Sequence, residues 1–406
     1  MGSNTVRSTT LWIGTFCLVA AGMTACQSEP KLLPGKTTQA SVSLSPSEDT
    51  QDLPVSTELG ITVDKGETTQ VTVEDSDGTD IPGTMRDDDS AWVPREPLDY
   101  DTLYTAKVTA EDSDGIPASA TTSFHTMSEP KQKVSATVWN DPKYEYGQAM
   151  TVQLDFEEGF EVDEDHREAV ENRLFVSSEP KQEGAWHWFD GNHLEYRTKE
   201  FWEPGTTISL RAALEGVPLG DGKYGSEDLE QDIQVSDIAR KIEVNDDDKE
   251  MVAYKDGKEV KSMPVSLGKA STPSYSGTMT VMEKLEHTIF DTTAQCGGKV
   301  QGSDCYRTPV DWAQRLTWSG QFIHSAPWSV GDQGSRNVSH GCVNASPQDS
   351  KWIFNFAAVG DPVIVNGTGT KLPYGDGFTA FDLSWEEYLE GSYATDVPSD
   401  ASADSD

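Results

Sequence analysis

The chain has 406 residues, which is enough for two to four domains, each with its own core. Apolar residues make up 35% of it, and its formal net charge of −38 excludes a general affinity for nucleic acid, which needs basic surfaces. The excess of acidic residues indicates a strongly solvated surface. The alternative is a surface that captures a cationic ligand.

The first 25 residues have the features of an export signal. Arg7 gives a positive start, and residues 11–22 form an apolar run too short to cross a bilayer as a stable helix. Residues 23–26 resemble a bacterial lipobox, which implies cleavage before Cys26 and acylation of its thiol; an ordinary secretory signal is the alternative. Both place the mature protein outside the cytoplasm, and a lipid would anchor it to the outer face of the membrane. Residues 26–39 read as a linker rich in proline, glycine and polar residues.

The cysteines have different expected fates. Cys17 would leave with the signal, and Cys26 would carry the lipid. Cys296 and Cys305 enclose a flexible loop and could pair in an oxidising compartment. Cys342 would then be unpaired. Its neighbours are Ser, His, Gly and Asn rather than apolar residues, which favours a reactive thiol over a buried inert one.

Residues 40–237 show short runs that alternate between apolar and polar residues, as in residues 69–73 and 104–110. This period of two predicts antiparallel strands with one buried face. A weak repeat at about 104 residues aligns Trp92 with Tyr196 and residues 102–108 with residues 206–212. Each copy has the length of an immunoglobulin-like sandwich. We therefore predict two tandem immunoglobulin-like domains, at 40–128 and 129–237, without an inter-sheet disulfide.

Two features of the second copy have competing interpretations. Residues 186–189 read Trp-His-Trp-Phe, with His193 close by; core and interface packing is favoured over a ligand-binding aromatic patch. Residues 220–225 are favoured as a turn over a cation site, because few carboxylates lie close in sequence.

The sequence changes character at 238, where we predict a β-rich catalytic domain at 238–366. Residues 251–263 predict a hairpin with a tight Asp256-Gly257 turn. A helix is predicted to begin with Ser346 as its N-cap and to end at Gly360, and residues 362–365 predict a closing strand.

The remaining residues complete a mainly β architecture. Residues 367–390 form an extension with Trp385 and Tyr388, which we expect to wrap back onto the catalytic domain. Residues 391–406 form a tail that is acidic and disordered in character.

The clearest candidate for a catalytic site is a histidine followed by a motif that contains a cysteine. His324 is separated by residues 325–338 from Ser339-His340-Gly341-Cys342-Val343-Asn344. A thiol becomes a good nucleophile when a base or a positive field favours the thiolate. These residues resemble the signature of the L,D-transpeptidase (YkuD-type) family: His, 14 residues, then Ser/Thr-His-Gly-Cys-hydrophobic-Asn. Every fixed position matches.

The motif gives each residue an expected role. Cys342 is the expected nucleophile and His324 the general base, and the two could exist as thiolate and imidazolium before substrate arrives. His340 is the rival base. Backbone N–H groups around His340, Gly341 and Cys342 are the expected oxyanion hole. The resemblance further implies that the backbone carbonyl of Ser325 orients the imidazole of His324.

Family resemblance also implies a set of substrate-binding residues. Asn344 is expected to contact substrate or to buttress its loop. Tyr306, Ser319 and Gly320 match positions of the family's lid and donor-binding surface, and Trp328 matches its site wall. A bridge between Cys296 and Cys305 would stiffen one end of this lid.

The resemblance implies a reaction without a metal or an organic cofactor. Cys342 would attack the amide after the third residue of a peptidoglycan tetrapeptide stem and expel D-Ala. A diamino acid on another stem would resolve the thioester into a 3→3 cross-link, and carbapenems would acylate the same thiol. Three alternatives remain: a peptidase or carboxypeptidase on the same site, a non-catalytic wall-binding protein, and a metal site of His324, His340 and Cys342.

Overall fold

A computed structural model of the protein describes residues 37–86, 89–301 and 305–394. The predicted signal, Cys26, most of the linker and residues 395–406 lie outside the described residues. Within the described ranges the protein is mainly β, as predicted. No helix in those ranges is both long enough and apolar enough to cross a membrane.

The strands described between Ser41 and Thr126 form two facing sheets. Their orders are β1-β3-β6-β5 and β2-β8-β7-β4, and all neighbours are antiparallel except β2 and β8. The alternating apolar residues of β7 point into the core between the sheets, around Trp92 and Tyr104. The strands are β1 (Ser41–Ser45), β2 (Thr50–Leu53), β3 (Leu59–Asp64), β4 (Glu67–Asp75), β5 (Gly83–Met85), β6 (Ala91–Pro94), β7 (Leu103–Glu111) and β8 (Pro117–Thr126).

The second unit contains two larger sheets and one short sheet. Their orders are β10-β12-β15-β14, β11-β19-β16-β13 and β17-β18-β9. The elements are β9 (Lys133–Val134), β10 (Ala136–Val138), β11 (Glu145–Tyr146), β12 (Val152–Phe156), α1 (Glu164–Glu171), β13 (Leu174–Glu179), β14 (Gly184–Trp188), β15 (His193–Thr198), β16 (Thr207–Ala212), β17 (Pro218–Gly220), β18 (Lys223–Gly225) and β19 (Leu229–Val235).

The two units share one topology, which agrees with the internal repeat. The first sheet of each unit has the same order, with Trp92 on β6 opposite Leu59 and Tyr196 on β15 opposite Val152. In each second sheet one strand pair is parallel, β2 with β8 and β11 with β19. The second unit adds α1 and the short sheet to this plan.

Both ambiguous features of the second unit have structural roles. Trp186, His187 and Trp188 are buried, in agreement with the packing prediction. Residues 220–225 contain a tight turn with positive φ at Asp221 and Gly222, between β17 and β18. The turn prediction is therefore confirmed.

The C-terminal unit is built from two further sheets. Their orders are β22-β21-β20-β28-β23 and β24-β25-β26-β27, with β20–β28 and β26–β27 as parallel pairs. The predicted hairpin is β21–β22, with Asp256 and Gly257 in its turn. The elements are β20 (Arg240–Asn245), β21 (Glu250–Lys255), β22 (Lys258–Pro264), β23 (Gly277–Thr280), β24 (Glu283–Asp291), β25 (Arg307–Arg315), β26 (Phe322–Ser325), β27 (Val343–Ala345), α2 (Pro347–Phe356), β28 (Pro362–Asn366) and α3 (Trp385–Leu389).

The helix prediction was right at its start and wrong at its end. The Ser346 side chain accepts a hydrogen bond from Asp349 N, as expected of an N-cap, but α2 ends at Phe356 because Ala357 is extended. Gly360 has φ 91° and serves another purpose: a Cβ there would lie 2.6 Å from Gly147 N of the second unit.

The C-terminal extension packs onto the catalytic unit as expected, and it also packs onto the second immunoglobulin-like unit. Leu372 joins the core of the catalytic unit, but Trp385 and Tyr388 pack with Ala185 of the second immunoglobulin-like unit. The first residues of the predicted tail are ordered there, since Tyr393 N donates to the buried Glu171 carboxylate at 2.8 Å.

Candidate active site

Two neighbouring strands place the histidine and the cysteine in one site. β26 and β27 are parallel, with His324 opposite Asn344 in the register. Cys342 immediately precedes β27, so its side chain lies at the strand end beside β26. The intervening residues 326–341 form the connection between these two strands. The residues between the histidine and the cysteine motif therefore carry the chain from the end of β26 back to the start of its parallel neighbour, β27.

His324 is buried and held in one tautomer. Its Nδ1 donates to the Ser325 carbonyl at 2.9 Å, which leaves Nε2 to accept a proton. Phe290 stands edge-on to the imidazole at 5.0 Å, and Trp328 lies 6.1 Å away. Burial lowers the pKa of His324 to about 4, and the bond to Ser325 opposes this shift. His324 is therefore a neutral base at pH 7.

Cys342 is half-buried, and its thiol donates to the Gly320 carbonyl at 3.6 Å. Burial raises the pKa of the thiol to about 11, opposed by the backbone of Phe322 and the charge of Arg315. These shifts favour a neutral thiol beside a neutral imidazole in the free protein, and a thiolate–imidazolium pair before substrate arrives stays a prediction.

The cysteine loop is fixed by serine side chains. Ser339 Oγ donates to Cys342 O at 2.6 Å and accepts from Gly341 N at 3.1 Å. Ser274 Oγ donates to Gly341 O at 2.6 Å, and Gly341 has φ 124°, which favours glycine. The Gly341 N–H is thus engaged inside the loop. It is not free for an oxyanion, contrary to the expectation.

His340 lies on the rim of the site. It is exposed, its Nε2 lies 2.9 Å from Lys269 Nζ, and its ring lies 5.4 Å from that of Tyr306. A lysine ammonium can only donate, so His340 Nε2 is the acceptor in this pair. The occupied nitrogen favours His324 over His340 as the base.

A cavity of about 360 Å³ joins most of the predicted site residues. Asn344 is buried in its wall, with Nδ2 donating to Ser329 Oγ at 3.1 Å, so it buttresses the connection. Trp328 is 57% exposed at the mouth. The lining residues are Phe290, Tyr306, Thr308, Val310, His324, Trp328, Val338, Ser339, His340, Cys342 and Asn344.

Ser319 and Gly320 lie beside this cavity rather than in its lining. Gly320 reaches the site through its carbonyl, which accepts from the Cys342 thiol. The backbone N–H and hydroxyl of Ser319 donate to the two carboxylate oxygens of Asp376, at 2.7 and 2.5 Å. A substrate-binding role for the Ser319 side chain stays a prediction.

Several lining residues were not identified from the sequence. Thr308 and Val310 lie on one face of β25, because side chains two apart in a strand share a face, and Tyr306 directly precedes the strand at the same spacing. That period was a usable signal. Phe290, by contrast, arrives from β24 through strand pairing with Thr308, which no local motif indicates.

Cys296 and Cys305 are joined by a disulfide, with Cα atoms 6.1 Å apart. The bridge closes the loop that leads into Tyr306. In the described ranges Cys342 is the free cysteine. Within these ranges, no group of three or more His, Cys, Asp or Glu side chains is arranged to hold a metal, so the proposed triad of His324, His340 and Cys342 is not such a group.

Comparisons with known proteins assign the chain to a family. Residues 239–365 match the L,D-transpeptidase catalytic domain family, YkuD, and residues 50–218 match the bacterial Ig domain family, Big_10. The chain belongs to the L,D-transpeptidase family. It is thus an acyltransferase of the class that cross-links peptidoglycan.

The relatives include several mycobacterial proteins. The chain is 34% identical to L,D-transpeptidase 2 of Mycobacterium tuberculosis over 345 residues, covering 84% of this chain and 81% of that protein. It is 29% identical to L,D-transpeptidase 5 of the same species, covering 84% and 73%. A solved structure of LdtMt1 in complex with imipenem covers 58% of this chain and all of its own, with 30% identity and a TM-score of 0.49.

Proposed function

We propose that the protein forms 3→3 peptidoglycan cross-links through a thioester on Cys342. The observation that carries this proposal is the pairing, in one cavity, of a free thiol with a buried histidine whose Nδ1–H is fixed on a carbonyl. Such an imidazole presents Nε2 as the base. Family membership supplies the substrate class.

In the first half-reaction, a neutral thiol gives up its proton as it attacks. The thiol turns from the Gly320 carbonyl towards His324 Nε2. Its sulfur then attacks the carbonyl carbon of the third stem residue, in the amide bond to D-Ala. His324 takes the thiol proton and then passes it to the departing nitrogen, so D-Ala leaves as a neutral amine. The bond from His324 Nδ1–H to Ser325 O stabilises the transient imidazolium.

In the second half-reaction, the side-chain amine of a diamino acid on another stem attacks the thioester. His324 accepts the proton of that amine and returns it to the departing sulfur, which restores the neutral pair. The backbone N–H of Cys342 is our candidate oxyanion donor, because the Gly341 N–H is engaged by Ser339. Tyr306, Trp328 and His340 form the surface that would receive the two stems.

Incubation with a disaccharide-tetrapeptide tests the reaction. Mass analysis should show cross-linked dimers and released D-Ala from the wild type. Tripeptide without dimers would instead indicate hydrolysis on the same cysteine.

Cys342→Ser should abolish dimer formation and leave the melting temperature within a few degrees, because the change removes the reactive sulfur and little packing. Exposure to a carbapenem should add its mass to one peptide, the one containing Cys342. Dimer formation by Cys342→Ser, or labelling elsewhere, would contradict the nucleophile assignment.

We further propose that the protein is a lipoprotein on the outer face of the cell membrane, anchored through Cys26. The apolar run at 11–22 and the lipobox-like residues 23–26 support this proposal. The two immunoglobulin-like units would hold the catalytic unit away from the membrane. Labelled palmitate should be incorporated into the wild type and not into Cys26→Ser, with Cys17→Ser as the matched control.

A further inference from the structure

The C-terminal extension connects the second immunoglobulin-like unit to the active-site loop. We call residues 374–389 the strap. At its two ends, Tyr374 Oη lies 2.6 Å from His187 Nε2, and Tyr388 Oη donates to Glu195 O at 2.6 Å. Both partners belong to the second unit and are buried. The strap is therefore firmly seated on that unit.

Residues 376–378 of the strap pack against the loop that precedes β26. Asp376 accepts from Ser319 N at 2.7 Å and from Ser319 Oγ at 2.5 Å. Gly377 has φ 119°, and a Cβ on it would lie 2.8 Å from Leu316 O. Phe378 is buried edge-on against both Trp139 and Trp318, with centroids 4.9 and 5.7 Å away.

This loop also touches the thiol. Gly320 follows Ser319, has φ 106°, and accepts from Cys342 Sγ at 3.6 Å through its carbonyl. A hydrogen bond to the neutral form of a group favours that form over the charged one. The position of the Gly320 carbonyl therefore affects both the orientation of the thiol and its readiness to ionise.

We propose that Asp376 is a positioning residue for Cys342, which it controls by fixing the Ser319–Gly320 turn so that the Gly320 carbonyl holds the thiol. The inference rests on the proposed role of Cys342 as nucleophile. Asp376 touches neither the thiol nor the cavity lining. It acts through the turn alone, and it makes the strap the link between the second unit and the reacting sulfur.

Alkylation of Cys342 by iodoacetamide, followed by intact mass between pH 7 and 12, tests this inference without using substrate. Asp376→Ala removes both bonds to Ser319 and leaves the turn held by Thr317, whose hydroxyl accepts from Gly320 N at 3.2 Å. The alkylation midpoint should then fall by about one pH unit, and the rate at pH 8 should rise about tenfold. The other charged or titratable groups near the thiol, Arg315, His324, Tyr306 and His340, are unchanged in this variant.

The strap offers a matched control. Asp382 also accepts a backbone N–H, that of Thr278 at 2.7 Å, which belongs to β23 and not to the Ser319–Gly320 turn. Asp382→Ala should keep the wild-type midpoint. Asp376→Asn retains an acceptor oxygen and should restore most of the wild-type profile. If Asp376→Ala loses its fold, Ser319→Ala, which removes one of the two bonds, should give a smaller shift in the same direction.

The inference would be overturned if folded Asp376→Ala kept the wild-type midpoint. If Asp376→Ala does not fold, an unchanged midpoint in Ser319→Ala would have the same meaning. A shift of equal size in Asp382→Ala would also overturn the inference. These outcomes are separate from failure of the proposed function. Dimer formation by Cys342→Ser would remove the nucleophile role even if the alkylation shift were seen. Dimer formation by the wild type and not by Cys342→Ser, together with an unshifted midpoint in Asp376→Ala, would reject only the positioning role.

Discussion

At the scale of residues, burial determines the protonation of both reacting groups. His324 with its pKa near 4 and Cys342 with its pKa near 11 are neutral across the physiological range. These pKa values favour a neutral thiol in the free protein. A neutral thiol reacts more slowly than a thiolate with alkylating and oxidising agents.

The pH dependence of acylation should reveal this neutral pair. His324 can accept a proton only when it is unprotonated, so the rate of carbapenem acylation should be flat from about pH 5.5 to 8 and fall as pH drops through about 4. Mass spectrometry at timed intervals measures the rate. His340→Gln should keep the same acid limb. If the acylation rate of the wild type fell near pH 6.5 and not near pH 4, the assignment of His324 as a buried, neutral base would be contradicted.

Gly341 is the residue at which backbone conformation matters most. Its φ of 124° strains any side chain, although the nearest atom to a new Cβ, Pro273 O, is 3.8 Å away. We expect Gly341→Ala to destabilise the fold by about 1–3 kcal/mol. Displacement of the Cys342 loop should lower dimer formation on the order of a hundredfold. Urea unfolding and product mass analysis measure the two effects.

Gly331 provides the control for this substitution. It lies in the same β26–β27 connection, needs no positive φ, and has open space around its Cα. Gly331→Ala should change neither stability nor activity appreciably. Equal losses in the two variants would attribute the effect to the whole connection and not to the conformation at Gly341.

At the scale of elements, local signals predicted local structure well. The Ser346 cap and the Asp256-Gly257 turn appear where the sequence placed them, because each depends on bonds within a few residues. The prediction that Gly360 ends the helix was wrong, because a glycine is needed there for a different reason. The backbone of Gly147, more than 200 residues earlier in the chain, packs so closely against Gly360 that a Cβ would not fit. The contact between Ser319 and Asp376 is likewise absent from any local pattern.

The N-cap of α2 gives a test at this scale. Ser346 Oγ accepts from Asp349 N at 3.1 Å, and α2 begins directly after β27, which carries Asn344. Ser346→Ala should lower the free energy of unfolding by about 1 kcal/mol and leave the alkylation rate of Cys342 unchanged. Ser384→Ala removes the equivalent bond from α3 and is the comparison. A loss of alkylation without a loss of stability would contradict a purely structural cap.

At the scale of the whole molecule, the three units are joined by specific polar contacts. The carboxylate of Glu58 in the first unit accepts hydrogen bonds from two arginines. Arg86 belongs to the same unit and donates at 2.7 Å, whereas Arg211 belongs to the second unit and donates at 2.8 Å. The second unit meets the catalytic unit where Gly147 N donates to Val359 O and Ala149 N donates to Gly360 O, at 2.8 and 2.9 Å. The repeat predicted the two sandwiches. These junctions could not be predicted, because they pair residues from separate folding units.

Asp361 makes the second junction sensitive to pH. It is fully buried opposite Gly147; one carboxylate oxygen accepts from Ala358 N at 2.8 Å, and the other has no partner among the described residues. Burial raises its pKa to about 7, which is opposed first by the Ala358 N–H and then by Arg240 and Lys284. In the unfolded chain the same carboxyl titrates near 3.8.

This difference predicts how stability changes with pH. Between about pH 4 and 7 the unfolded chain has released the Asp361 proton while the folded chain retains it, so the free energy of unfolding contributed by this group falls as pH rises. The fall is on the order of 4 kcal/mol. Asp361→Asn removes the titration and should flatten this part of the profile in urea unfolding. Asp221→Asn, at an exposed turn, should leave the profile unchanged. A profile equally steep in Asp361→Asn would show that another carboxyl is responsible.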